Sequence, residues 1–197
     1  MSKTPLSVAV GFLLCIAAGP AFGHSAAGLA GGLASGFLHP LAGPDHIIAM
    51  VAVGLWGAFL GSPALWLLPI VFPMVMTIGG AIGIVLGEPS IVAEKGIAMS
   101  GVILGLAVAL AARPPIWVAA VVVGAFAIFH GYSHGVELPL AADPPAYAIG
   151  FVVATGLLHL CGIAFGLTAR WPAGILAVRA AGAAIAAGGL AYLTGFA

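Results

Sequence analysis

The sequence predicts an all-α protein, a polytopic membrane helix bundle of about six transmembrane passages. Three observations predict it. Hydrophobic residues make up 63% of the 197 and charged residues only 5%, whereas a soluble domain carries about 25% charged residues. The mean hydropathy is +1.26. The apolar residues fall into runs close to the roughly 20 a helix needs to cross a bilayer, divided by clusters of proline, glycine and charge. Net charge is zero with histidines neutral, so no basic field draws nucleic acid.

Residues 1–23, MSKTPLSVAVGFLLCIAAGPAFG, read as a cleaved secretory signal peptide, with an uncleaved first span as the alternative. Lys3 precedes an apolar core of moderate length, and Pro20, Ala21 and Gly23 supply the helix break and small residues of a cleavage site. Cleavage after Gly23 leaves His24 as the mature N-terminus, outside the cytoplasm. Cys15 leaves with the signal and Cys161 stays alone, so no intrachain disulfide is expected.

Residues 24–197 read as a single transmembrane helical domain. Its apolar segments run over 25–41, 44–60, 64–87, 92–112, 115–136, 146–168 and 173–196. The breaks are HPLAGP, GSP, GEPSIVAEK, AARPP, ELPLAADPP and ARWPAG, each carrying helix-breaking residues. The last five segments each suit one span. The first two are short, and the sequence admits one broken passage over 25–60 or two. Charge favours one, bent or re-entrant and entered from outside. Arg113, Arg170 and Arg179 then lie inside, and Glu88, Glu94, Glu137 and Asp143 outside, with Lys95 the one dissenter. Both mature ends lie outside. Gly28 with Gly32, and Gly79 with Gly83, have the spacing that lets helices approach closely in lipid.

Ionisable groups in such a setting are expensive, about 2.5–3.5 kcal/mol on insertion scales, and mark functional candidates. Here they cluster. His39, Asp45 and His46 lie in HPLAGPDHIIAM; His130, His134 and Glu137 lie in FHGYSHGVE; His159 stands apart in TGLLHLCG. A helix puts His130 and His134 on one face, with Glu137 a further turn along. Two imidazoles and a carboxylate on one face can hold a divalent transition metal; histidines bonded to backbone carbonyls are the alternative. In the first motif Pro40, Gly43 and Pro44 predict that the chain unwinds between His39 and Asp45. Unwound backbone at membrane depth lines a cavity or is buried in protein, and broken helices mark the binding site in many transporters. Asp45 and His46 then fall in the first turn of the restarted helix. Asp45 is either a direct ligand or an acceptor that fixes a histidine tautomer. Met50, four residues after His46, offers a thioether but suits packing as well. As the mature N-terminus His24 either offers its imidazole and α-amine to an arriving ion or is an exposed histidine that merely follows the signal. His159 reads equally as ligand, proton carrier or buried structural histidine.

HPLAGPDH followed by IIAMVAVGLWGA, together with FHGYSHGVELP, resembles the HupE/UreJ family of nickel and cobalt permeases. Two motifs agree in order and spacing, and the resemblance covers essentially the whole chain. It implies a bacterial inner-membrane protein taking up Ni2+, or Co2+, often in the service of hydrogenase or urease. It carries a ligand role over to His39, Asp45, His46, His130, His134 and Glu137, and His24 matches a family habit of histidine just after the signal. The metal is then cargo and no cofactor is expected. The expected partners are the ion and the lipid bilayer, not nucleic acid, with association into a homo-oligomer left open. From the residues alone, imidazole suits nickel, cobalt, zinc and copper alike. A haem-binding membrane cytochrome is the runner-up, since histidines on apolar helices also serve haem, although carboxylates beside the imidazoles suit a bare cation better. An intramembrane metallohydrolase is weaker, with no HExxH and no base ahead of the histidine pair. No Walker A sequence is present, so transport is secondary or channel-like rather than driven by ATP on this chain.

Overall fold

A computed structural model describes residues 29–138 and 143–196. The expected signal peptide, its cleavage point and His24 lie outside the described residues. Among the described residues seven α-helices follow in order: α1 Leu29–Ala42, α2 Pro44–Leu60, α3 Ala64–Leu86, α4 Ile91–Ala109, α5 Ile116–Val136, α6 Pro144–Gly166, extended by a short 3-10 turn Leu167–Arg170, and α7 Pro172–Thr194. The last five, counting the turn with α6, are each long and apolar enough to cross a membrane, and the pair α1–α2 passes the same test together, bent by 84° at the break. The helices thus follow the apolar segments of the sequence to within a few residues.

Element boundaries have local causes. Asp143 caps α6 by accepting from the Ala146 amide at 3.1 Å, and Ser90 caps α4 through the Ala93 amide. α3 stops at Gly87, whose φ of 66° lies in the left-handed region that glycine occupies without strain. The first break is narrower than the sequence predicts. α1 runs through His39 and Pro40 to Ala42, and only Gly43 is extended, with φ −101° and ψ 105°. The expected unwinding from His39 to Asp45 is corrected on this point. Pro40 falls in the last turn of α1, where its lost i→i−4 bond disturbs only the end of the helix, and Pro44 starts α2 at a position where its ring is favourable.

Small residues set the packing. α3 lies along α5, α4 along α7, and α6 contacts both α1 and α2. A Cβ on Gly79 or Gly83 of α3 would run into the carbonyl oxygens of Ile128 and Tyr132 on α5, and one on Gly131 or Gly135 of α5 into those of Met76 and Gly80. Close backbone approach of this kind drives helix association in lipid. The buried core, including Met50, Leu55, Leu68, Phe72 and Leu104, is apolar. Met50 is wholly buried in that core, which is the packing reading of this residue.

The charged breaks segregate to two ends of the bundle. Gly43, Pro89, Glu94, Glu137 and Thr194 line one cavity at one end. At the other, Arg179 Nε donates to the Ala109 carbonyl at 2.7 Å, Trp56 Nε1 donates to the Ala112 carbonyl at 3.1 Å, and Arg113 lies over the Phe59 ring.

Candidate metal-ion site

The two histidine motifs, some ninety residues apart in sequence, meet at the acidic end of the bundle. The 84° bend brings the end of α1 and the start of α2 to the last turns of α5. Ring centroids of His46 and His130 are 5.0 Å apart, those of His46 and His134 4.6 Å, and those of His39 and His134 4.9 Å. An open-sided cavity of about 880 Å3, lined among others by His39, Asp45, His46, His134 and Glu137, leads to them. His130 lies behind it, with no exposed surface.

Two overlapping groups form. His46, His130 and His134 each offer a ring nitrogen, all within 4.8 Å of one another; His39, His134 and Glu137 offer a second such set nearer the surface. An ion held at about 2.1 Å by imidazole nitrogens keeps them roughly 3–4 Å apart. Small ring rotations therefore suffice to close either set on an ion.

Hydrogen bonds fix which nitrogens are free. Asp45 Oδ1 sits 2.9 Å from both the backbone amide and Nδ1 of His46, so it accepts from both. With Nδ1 carrying the proton, the lone pair of His46 is on Nε2. Ser100 Oγ donates to the Ile97 carbonyl at 2.6 Å and lies 3.0 Å from His130 Nε2. Its single proton being committed, Ser100 accepts from the His130 Nε2–H, which puts the lone pair of His130 on Nδ1. Both freed nitrogens, His46 Nε2 and His130 Nδ1, are buried and without a hydrogen-bond partner among the described residues, as is His134 Nε2. Three orphaned imidazole nitrogens at one place are unusual, because buried polar atoms are nearly always satisfied.

The outer set has a different character. His39 Nε2 is 3.0 Å from His134 Nδ1 and 3.1 Å from Glu137 Oε2. All three atoms can act as acceptors, so a proton on one of them, or a cation among them, is needed to hold them together. The hydrogen-bonded His39 ring keeps the Glu137 carboxyl below its ordinary value, against the opposing effect of burial. Glu137 is therefore ionised across the neutral range.

The structure thus brings together His39, Asp45, His46, His130, His134 and Glu137, and leaves Met50 in the core. His159 is buried on α6 and belongs to neither group, and the Phe72 ring contacts both it and His130. Sequence reasoning missed Ser100, a lone hydroxyl among apolar neighbours on α4. It also missed Phe72, Tyr147 and Phe151, whose rings wall the imidazoles. Nothing in their local pattern distinguishes them from packing.

Known proteins resemble this chain over almost its full length. The family model described as HupE / UreJ protein matches residues 12–192. Protein HupE of Rhizobium leguminosarum bv. viciae is 44% identical over 177 residues, covering 89% of this chain and 92% of its own. No solved structure matches. With nearly the whole chain matched both by the family model and by that relative, this multi-helix membrane protein belongs to the HupE/UreJ family.

Proposed function

We propose that the chain is a secondary permease or channel that takes up a divalent transition metal, Ni2+ first and Co2+ next, across the inner membrane. One observation carries the reading. His46 Nε2, His130 Nδ1 and His134 Nε2 are buried without partners, on three imidazoles whose ligand atoms converge within 4.8 Å. A borderline cation is what neutral imidazoles bind best, and an ion among these rings would give a partner to buried nitrogens that otherwise lack one. The preference for nickel and cobalt draws on family membership.

In this reading the acidic end faces the periplasm, because Arg113, Arg170 and Arg179 then face the cytoplasm as the positive-inside rule asks. The mature N-terminus would be periplasmic too. An arriving ion, attracted by ionised Glu137, is held first by Glu137, His39 and His134 Nδ1. It then passes to the inner set, the other nitrogen of His134 joined by His46 and His130. His134 belongs to both sets, so the two stations adjoin, and its single ring proton moves from Nε2 to Nδ1 as the ion moves inward. Asp45 acts through His46 and Ser100 through His130, each holding the tautomer that presents a lone pair inward.

A haem between these histidines is disfavoured by geometry. Imidazoles whose centroids lie 4.6 to 5.0 Å apart leave no slot for a macrocycle. Uptake by proteoliposomes, compared for nickel, cobalt, zinc and copper with and without a pH gradient, tests the proposal. Selective, saturable nickel or cobalt entry supports it; no metal entry under any gradient rejects it.

A further inference from the structure

We propose that His159 and Thr155 on α6 form a second station for the transported ion, beyond the three-imidazole site and linked to it by Phe72, whose ring touches a histidine of each. This rests on the permease reading above. Both side chains are nearly sealed from solvent, at 2% and 0% exposure, and both His159 Nε2 and Thr155 Oγ1 lack a hydrogen-bond partner among the described residues. Thr155 is unusual for a helical threonine in this chain. Thr77, Thr168 and Thr194 each return the hydroxyl to a carbonyl one turn back, whereas Thr155 holds its own in reserve. The two residues are four apart on one helix, so their side chains share a face.

Position makes the pair a continuation of the site. The Phe72 ring centroid lies 5.3 Å from that of His130 and 5.5 Å from that of His159. The fully buried Phe72 ring thus touches both imidazoles and ties His159 to the three-imidazole site. His159 sits well past the middle of α6, toward the arginine-bearing end. α2 crosses α6 at the same level, since a Cβ on Gly54 would meet the His159 carbonyl. An imidazole nitrogen and a hydroxyl oxygen suit the same borderline cation that three imidazoles hold. Two donors bind it less tightly than three, as a station on the way out requires.

A structural role and an ion-binding role predict opposite things for His159→Leu. Removing an orphaned buried polar group leaves folding stability unchanged or improved. Removing a station raises the barrier to passage. The experiment measures, for the full chain and its variants, Ni2+ binding in detergent, thermal unfolding, and Ni2+ uptake by proteoliposomes. For His159→Leu the expected result is binding within about twofold of the parent, an unfolding midpoint no lower, and uptake slowed by about tenfold or more. The isosteric Thr155→Val is expected to slow uptake about threefold, again without loss of binding. Parental uptake by His159→Leu overturns the station, as does a fall in stability with matching losses of binding and uptake. Failure of the parent chain to bind Ni2+ at all instead removes the permease reading itself.

Discussion

At the residue scale, function rests on where single protons sit. Ser100 donates to Ile97 and therefore accepts from His130; Asp45 does the same for His46. Ser100→Ala is expected to lower Ni2+ affinity about 10–100-fold, the usual effect of losing a group that orients a ligand. Ser100→Thr, which keeps the hydroxyl, should recover most of it. Asp45→Asn should fall in the same range, because an amide oxygen still accepts from His46 Nδ1. A complete loss would make the carboxylate itself a ligand. Titration calorimetry on purified protein checks all three. Acidity gives a further prediction. Metal binding requires neutral imidazole, whose free pKa is about 6.5, and burial disfavours the charged form, so affinity should hold near neutral pH and be lost only in more strongly acid solution. Glu137 is held below its ordinary value; a depressed carboxyl stays charged above that lowered value, so it does not titrate near neutral pH. Affinity that persists into the acid range in which the fold itself is still intact, with no loss at any pH, contradicts histidine ligation. The histidines and carboxylates were legible in the sequence because ionisable groups are rare in this chain. Ser100 was not, because its partner lies thirty positions away and only the folded bundle joins them.

At the element scale, the break between α1 and α2 does the positioning. The sequence announced a break, since Pro40, Gly43 and Pro44 stand together, but it overstated its extent. Pro40 removes one i→i−4 bond near the end of α1, yet α1 continues to Ala42 and the turn rests on Gly43 alone. Gly43 is also tightly confined. A Cβ there would lie 2.7 Å from His46 Nδ1 and 3.0 Å from Asp45 Oδ1, so Gly43→Ala must push the Asp45–His46 pair from its place. We expect Gly43→Ala to weaken Ni2+ binding by about tenfold or more, and Pro40→Ala to change it by less than about threefold. Equal effects of the two substitutions, measured at matched membrane abundance, would contradict a hinge confined to Gly43. On the other wall of the site, Gly131 and Gly135 let α5 lie against α3. Their i, i+4 relation to each other was readable in sequence, though which helix they receive was not.

Across the whole molecule, the apolar segments and their charged breaks foretold the helices and the separation of acidic from arginine-bearing ends. The pairing of helices was not legible, because contacts among small residues leave no signature of partner choice. That pairing is what sets His46 beside His130 and His134, and so turns two motifs into one site. The central claim is that these imidazoles lie on the path of the ion. Ni2+ uptake into proteoliposomes by the His46→Ala, His130→Ala double variant tests it most directly, at equal protein content and with unfolding unchanged from the parent. The account predicts uptake reduced to the level of protein-free vesicles. Parental uptake by the double variant would contradict it.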